Sequence, residues 1–186
     1  MAQDELIKEI IDEKFSLDLS DTSLRIKKRR AVRVILLDEN DRIGLIYAKN
    51  GNYYKLAGGG IDEGETEKEA VFREVIEETG YEPEIIGKIG YTIEYYHDAP
   101  ELKDKFDGMI GYSYCWVARV AKFVGNHLME DEVGDGFELI WVDSAEKAIE
   151  LLRNTQFSGT KYTEYDLIKV IEERDRILLE AYLELR

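Results

Sequence analysis

Between Gly58 and Tyr81 the chain sets glycines, acids and one arginine at a spacing suited to metal-assisted chemistry. Gly58-Gly59-Gly60 comes first, and a glycine-rich turn can take positive φ and bring backbone close to another group. An amphipathic helix should follow from about Thr66 to Thr79, with Thr66 as N-cap, Glu69 completing a capping box and Gly80 as the stop. At about 100° per residue, Phe72, Val75, Ile76 and Thr79 fall on one side and Glu74, Glu77 and Glu78 on the other. Like charges at this spacing repel by roughly 0.2–0.5 kcal/mol per close pair on an exposed helix. Arg73 offsets part of this by pairing with Glu77. A hard divalent cation such as magnesium offsets the rest, because it takes several oxygen ligands. A backbone carbonyl of the glycine turn can join the glutamates at such an ion, and Gly64 allows the turn into the helix.

In order and spacing these residues resemble the Nudix box: Gly59, five residues, Glu65, seven residues, then Arg73-Glu74-Val75-Ile76-Glu77-Glu78-Thr79-Gly80-Tyr81. Tyr81 stands where the family usually has an aliphatic residue, and Ala57 where a proline often precedes the glycines. Neither change touches the metal chemistry. The resemblance covers roughly Arg30 to Leu152. It implies an α/β/α sandwich around a mixed β-sheet, and hydrolysis of a nucleoside diphosphate linked to a further moiety with magnesium or manganese. It further implies that Glu74, Glu77 and Glu78 bind the metal with help from Gly58 or Gly59. Arg73 would orient the glutamates and Glu65 would anchor the loop to the helix. The general base would be a box glutamate or a later acid among Glu130, Asp131, Glu132, Asp135 and Glu138.

Arg29, Arg30, Arg33 and Lys55, near strand starts leading toward the box, are candidate phosphate partners, with Gly59 and Gly60 alongside; each of the four cations also reads as a surface residue. The downstream proline of the ADP-ribose type is missing, Pro100 being off register, and Tyr95 and Tyr96 match the dinucleoside polyphosphate type poorly. A nucleoside triphosphate substrate is therefore preferred. The alternatives are a nucleotide-sugar diphosphatase of the ADP-ribose kind and a non-catalytic nucleotide-sensing module. Such modules usually lose box glutamates, and this chain keeps them.

The rest of the chain must position the box. Its 186 residues, 44% hydrophobic and 35% charged, suffice to bury a core. A net charge of −15 repels a nucleic-acid backbone, which disfavours duplex binding, while a small polyphosphate stays accessible through a bridging cation. One cysteine excludes a disulfide framework; Cys115 reads as a core residue, and His97 and His127 as polar loop residues. No stretch approaches the roughly 20 apolar residues of a membrane span, and the acidic N-terminus is unlike a signal peptide, so a cytoplasmic location is expected.

Asp4–Lys14 reads as an amphipathic helical arm, and the basic run Arg25–Arg30 as a solvated loop. Strands are expected at Ala31–Leu37, Arg42–Ala48, Tyr53–Leu56, about 84–96 and 109–124, and Phe137–Val142. Helices are expected from Ser144 to about Leu152 and from Thr163 to Leu185. The expected organisation is an arm at 1–28, the hydrolase domain at 29–160 and a packed C-terminal helix at 161–186. The polar interruption Arg174-Asp175-Arg176 argues against a long coiled coil and leaves a monomer or homodimer.

Overall fold

The computed structural model describes residues 5–11, 16–96, 105–125, 136–155 and 167–186. Seven strands form one mixed sheet: β1 (Leu6–Ile11), β2 (Ile26–Leu37), β3 (Ile43–Ala48), β4 (Tyr53–Lys55), β5 (Tyr81–Tyr96), β6 (Gly108–Phe123) and β7 (Phe137–Val142). Their order is β1-β5-β6-β2-β3-β4, with β7 paired to β3. The β1–β5 and β2–β6 pairs are parallel and the others antiparallel.

Alternation along β2 divides the core. Val32, Val34 and Leu36 pack with Trp116 and Ala118 of β6 against helix α1 (Glu67–Thr79). Ile35 and Leu37, with Cys115 and Val117, face the other way. They meet Ala148 and Leu152 of helix α2 (Ala145–Arg153) and Leu178, Leu179 and Tyr182 of helix α3 (Leu167–Glu184). This is an α/β/α sandwich. Helix α2 starts as its sequence predicts, with Ser144 accepting the Lys147 N–H at 3.3 Å. The β2–β3 hairpin turns at Asp38, whose carboxylate accepts the Asn40 and Arg42 N–H groups.

Two expectations fail for the same reason. Residues 6–11 form an edge strand, not a helix, and Arg25–Arg30 is no loop, since Ile26 to Arg30 begin β2. Helical spacing of Leu6, Ile7, Ile10 and Ile11 is ambiguous over six residues, and isoleucine suits a pleated surface. Partners decided both segments: β1 lies along Tyr91–Tyr95, and the basic run pairs residue by residue with Gly108–Tyr112. Its charges survive in a sheet because alternate side chains leave the core.

No described helix is long and apolar enough to cross a membrane. His97, Pro100 and His127, with the acids Glu130, Asp131, Glu132 and Asp135, lie outside the described residues.

Candidate active site

The loop–helix unit is built from local chemistry. Thr66 and Glu69 form the reciprocal capping box, and Gly80 ends α1 in the left-handed conformation. The chain leaving β4 is held along β2: the Val34 N–H donates to the Ala57 carbonyl and the Val32 N–H to the Gly59 carbonyl, both at 2.9 Å. This close approach explains the glycines. Gly58 has φ 129°, and a Cβ there would overlap the Val32 carbonyl oxygen. A Cβ on Gly59 would lie 2.5 Å from both carboxylate oxygens of Glu74.

Arg73 ties the motif together. Its Nε and Nη2 donate to the two oxygens of Glu65 at 2.9 and 2.8 Å, and Nη2 also donates to the Gly60 carbonyl at 2.8 Å. Nη1 reaches Glu74 at 2.7 Å and Glu77 at 3.2 Å. The bonds to Glu65, then to Glu74, raise the Arg73 pKa further, while Arg73 holds the Glu65 carboxyl below its usual range. On the next turn of α1, Glu78 accepts the Gly58 N–H at 2.8 Å and the Lys55 ammonium at 2.5 Å.

The helix is rotated from the expected orientation. Phe72, placed on the apolar side by the sequence, is exposed, and the inward face is Ala70, Val71, Glu74, Val75, Glu78 and Thr79. Glu74 and Glu78 are only 6% and 2% exposed, because the loop covers them. Burial, and then the charge of Glu78, push the Glu74 carboxyl above its ordinary range against Arg73 and Lys55.

This donor set fits a hard divalent cation: carboxylates on adjacent turns of one helix face, beside backbone carbonyls. The Gly59 oxygen already accepts from Val32 yet keeps a second lone pair. Among the described residues no three such side chains converge as a ready-made metal cage. The reason is visible in the contacts. Arg73 draws Glu74 and Glu77 to itself, and Lys55 takes Glu78, so two cationic side chains supply the charge the carboxylates need.

The proposed substrate contacts divide. Lys55 lies at the glutamates and over the Phe137 ring. Arg29 lies beside Gly60, its Nη2 3.5 Å from where a Cβ would stand. Arg30 is on the opposite face of β2, over the Tyr114 ring and 3.5 Å from Glu67. Arg33, read as a surface residue, is buried; its Nη1 donates to the Val32 carbonyl, and burial and then the charge of Arg174 push its pKa down to about 10. Glu138, the one later acid described, is exposed and pairs with Lys49. Sequence reasoning missed Glu94, buried against Thr92 and Ser113, and took Arg174–Asp175, a buried pair, only as a break in an apolar stripe. Charged residues inside apolar stripes were the available signal.

An α/β/α sandwich carrying a glycine loop and an acidic helix clamped by one arginine is the frame in which the comparisons with known proteins fall. The family model for the NUDIX domain matches residues 27–161, and the chain belongs to that family. It is similar to a putative 8-oxo-dGTP diphosphatase of Bacillus subtilis (strain 168), 44% identical over 72 residues, covering 39% of this chain and 45% of that protein. It is also similar to an RNA pyrophosphohydrolase of Francisella tularensis subsp. mediasiatica (strain FSC147), 31% identical over 91 residues, covering 47% and 59%. The chain thus spans about half the length of these curated relatives. A NUDIX hydrolase structure from Nitrosomonas europaea shares the fold with a TM-score of 0.56 at 17% identity, over 85% of this chain and 90% of that one.

Gly59→Ala tests the close approach. The added methyl must displace the end of the Glu74 side chain, not backbone, so the fold should survive with Tm lowered by only a few degrees. Turnover should fall at least tenfold, because the carboxylate leaves its place. Thermal melting alongside steady-state hydrolysis checks this, and unchanged turnover would remove Glu74 from the site.

Proposed function

We propose that the chain is a magnesium- or manganese-dependent pyrophosphohydrolase cleaving a phosphoric anhydride bond in a small nucleotide, with a nucleoside triphosphate preferred over other nucleoside diphosphate derivatives. The observation that carries the proposal is one network on α1 beside the Gly58–Gly60 loop: Arg73 binds Glu74, Glu77 and the Gly60 carbonyl, and Glu78 accepts from Lys55 and the Gly58 N–H. The 8-oxo-dGTP diphosphatase similarity, over 72 residues, supports the preferred substrate class.

When bound, a divalent cation neutralises the diphosphate and lowers the pKa of a water molecule. The chain's residues do the remaining work. Glu74, Glu77 and Glu78 would hold the cation, with the Gly58 or Gly59 carbonyl as a backbone donor. Arg73 fixes Glu74, Glu77 and the Gly60 carbonyl in one orientation. A carboxylate of the site accepts the proton of the attacking water. Arg29 and Lys55, both beside the loop, are the favoured phosphate contacts. The buried Arg33 is less accessible to a phosphate, and Arg30 lies away from the loop, over the Tyr114 ring.

The test is a panel of nucleoside triphosphates, diphosphate sugars and dinucleotides with magnesium, read by product identity. A triphosphate should give monophosphate and pyrophosphate, or diphosphate and phosphate, and excess chelator should abolish turnover. Preferential cleavage of diphosphate sugars would replace the substrate class. Tight nucleotide binding without products would indicate a sensing module. Undiminished hydrolysis after thorough metal removal would overturn the mechanism.

A further inference from the structure

Helix α3 begins at residue 167, beyond the matched family region, yet it sends a carboxylate to the catalytic loop. Arg174 and Asp175, in the middle of its apolar stripe, are 2% and 0% exposed. The two oxygens of Asp175 have different partners. Oδ1 accepts from Arg174 Nε at 2.7 Å, and Oδ2 accepts the backbone N–H of Leu56 at 2.8 Å.

That N–H belongs to the peptide joining Lys55 to Leu56. Lys55 carries the ammonium on Glu78, and the Gly58 N–H donates to the other oxygen of the same carboxylate. The peptide plane held by Asp175 therefore lies between the two donors that set the position of Glu78. Beyond it, the backbone is already fixed to β2 through Ala57 and Gly59. Before it, Lys55 ends β4 in register with Ile46 of β3; Asp175 adds a side-chain anchor at Leu56, where the chain leaves that pairing and has not yet reached β2.

Stability alone accounts poorly for such a residue. A buried ion pair is commonly matched or exceeded by apolar side chains of similar size. A carboxylate here offers what an apolar residue lacks, an acceptor for one particular backbone donor.

We propose that Asp175 is a positioning residue for the cation site: through the Leu56 N–H it holds the Lys55–Gly58 segment in register with Glu78, making α3 part of the catalytic apparatus. The inference rests on the hydrolase reading above, but its test does not need substrate.

The test compares full-length Asp175→Asn, which keeps an acceptor, with Asp175→Leu, which fills the space without one. Manganese affinity is measured by calorimetry, and amide hydrogen exchange is followed with magnesium. Asp175→Asn should stay within about threefold of wild-type manganese affinity. Asp175→Leu should bind manganese at least tenfold more weakly, with faster exchange at Leu56–Gly60 and unchanged protection in β5 and β6. Its kcat should fall more than its KM changes. A folded Asp175→Leu with wild-type manganese affinity and unaltered Leu56 exchange overturns the proposal. Should the leucine variant not fold, the wild-type Leu56 amide decides: it must exchange as slowly as those of Val32 and Val34, and fast exchange there overturns the proposal. A wild type that binds manganese, behaves as stated at Leu56 and cleaves no nucleotide instead overturns the hydrolase reading alone.

Discussion

Glu78→Gln lowers turnover by roughly 10²- to 10⁴-fold and leaves a folded protein. Weakening the hold on a cation that neutralises a diphosphate removes about 3–5 kcal/mol of transition-state stabilisation, and each 1.36 kcal/mol is a factor of about ten in rate. The structural consequence is smaller. The sequence alone suggests that removing one of three like charges relieves repulsion, so that the metal-free protein loses no stability and can gain some. The structure changes that expectation, because Glu78 is paired with Lys55 and also accepts the Gly58 N–H. A glutamine oxygen can retain one of these bonds. The charge-assisted contribution lost is about 1–3 kcal/mol, against a typical domain stability of roughly 5–15 kcal/mol. Melting without metal should therefore show a lower but cooperative Tm, while hydrolysis with magnesium nearly vanishes. Should the variant melt far below wild type while its folded fraction keeps full activity, Glu78 is a structural residue and the site assignment is wrong.

That reversal shows where sequence reasoning stops. The box was legible because its parts depend on local spacing: the capping box, the glycine stop and the Arg73–Glu77 pair all span a few residues. The strands of the β2–β3 hairpin and β5–β7 were legible from alternation and turn residues. Burial of Glu74 and Glu78 was not, because it depends on a loop folding back over the helix, held by hydrogen bonds to β2. An acidic helix face normally points to water. The N-terminal strand was misread for a related reason. Its parallel partner is Tyr91–Tyr95, so nothing within six residues could announce it. Arg174-Asp175 was seen as a break in an apolar pattern, and the break is a buried contact to Leu56, 119 residues away in sequence. In each case the missing information was a distant partner.

Val75→Asp abolishes cooperative folding. Val75 is fully buried, and its cluster consists of Val32, Val34, Leu36, Ala70, Val71, Trp116 and Ala118. Losing the valine forfeits about 1.5–3 kcal/mol of apolar burial. An ionised carboxylate in its place adds several kcal/mol of desolvation that no neighbour repays. The nearest titratable groups on the helix deepen the penalty, since Glu74 and Glu78 are buried acids on the same inward face. Together these effects reach the lower part of a typical stability of roughly 5–15 kcal/mol. The introduced acid escapes part of the cost by staying protonated. Its folded-state pKa would be raised above the unfolded value near 4, so the penalty grows as pH rises through the interval between them and is smallest below it. Val75→Thr is the control, because it keeps the shape and adds one neutral hydroxyl. It should melt cooperatively with a loss of about 1–3 kcal/mol. Circular dichroism melts of both variants at pH 5 and pH 8, without metal, measure the difference. A Val75→Asp protein that melts cooperatively near the wild-type Tm at pH 8 would show that this face of α1 does not pack on the sheet, and with it the placement of the glutamates on the neighbouring turns would fail.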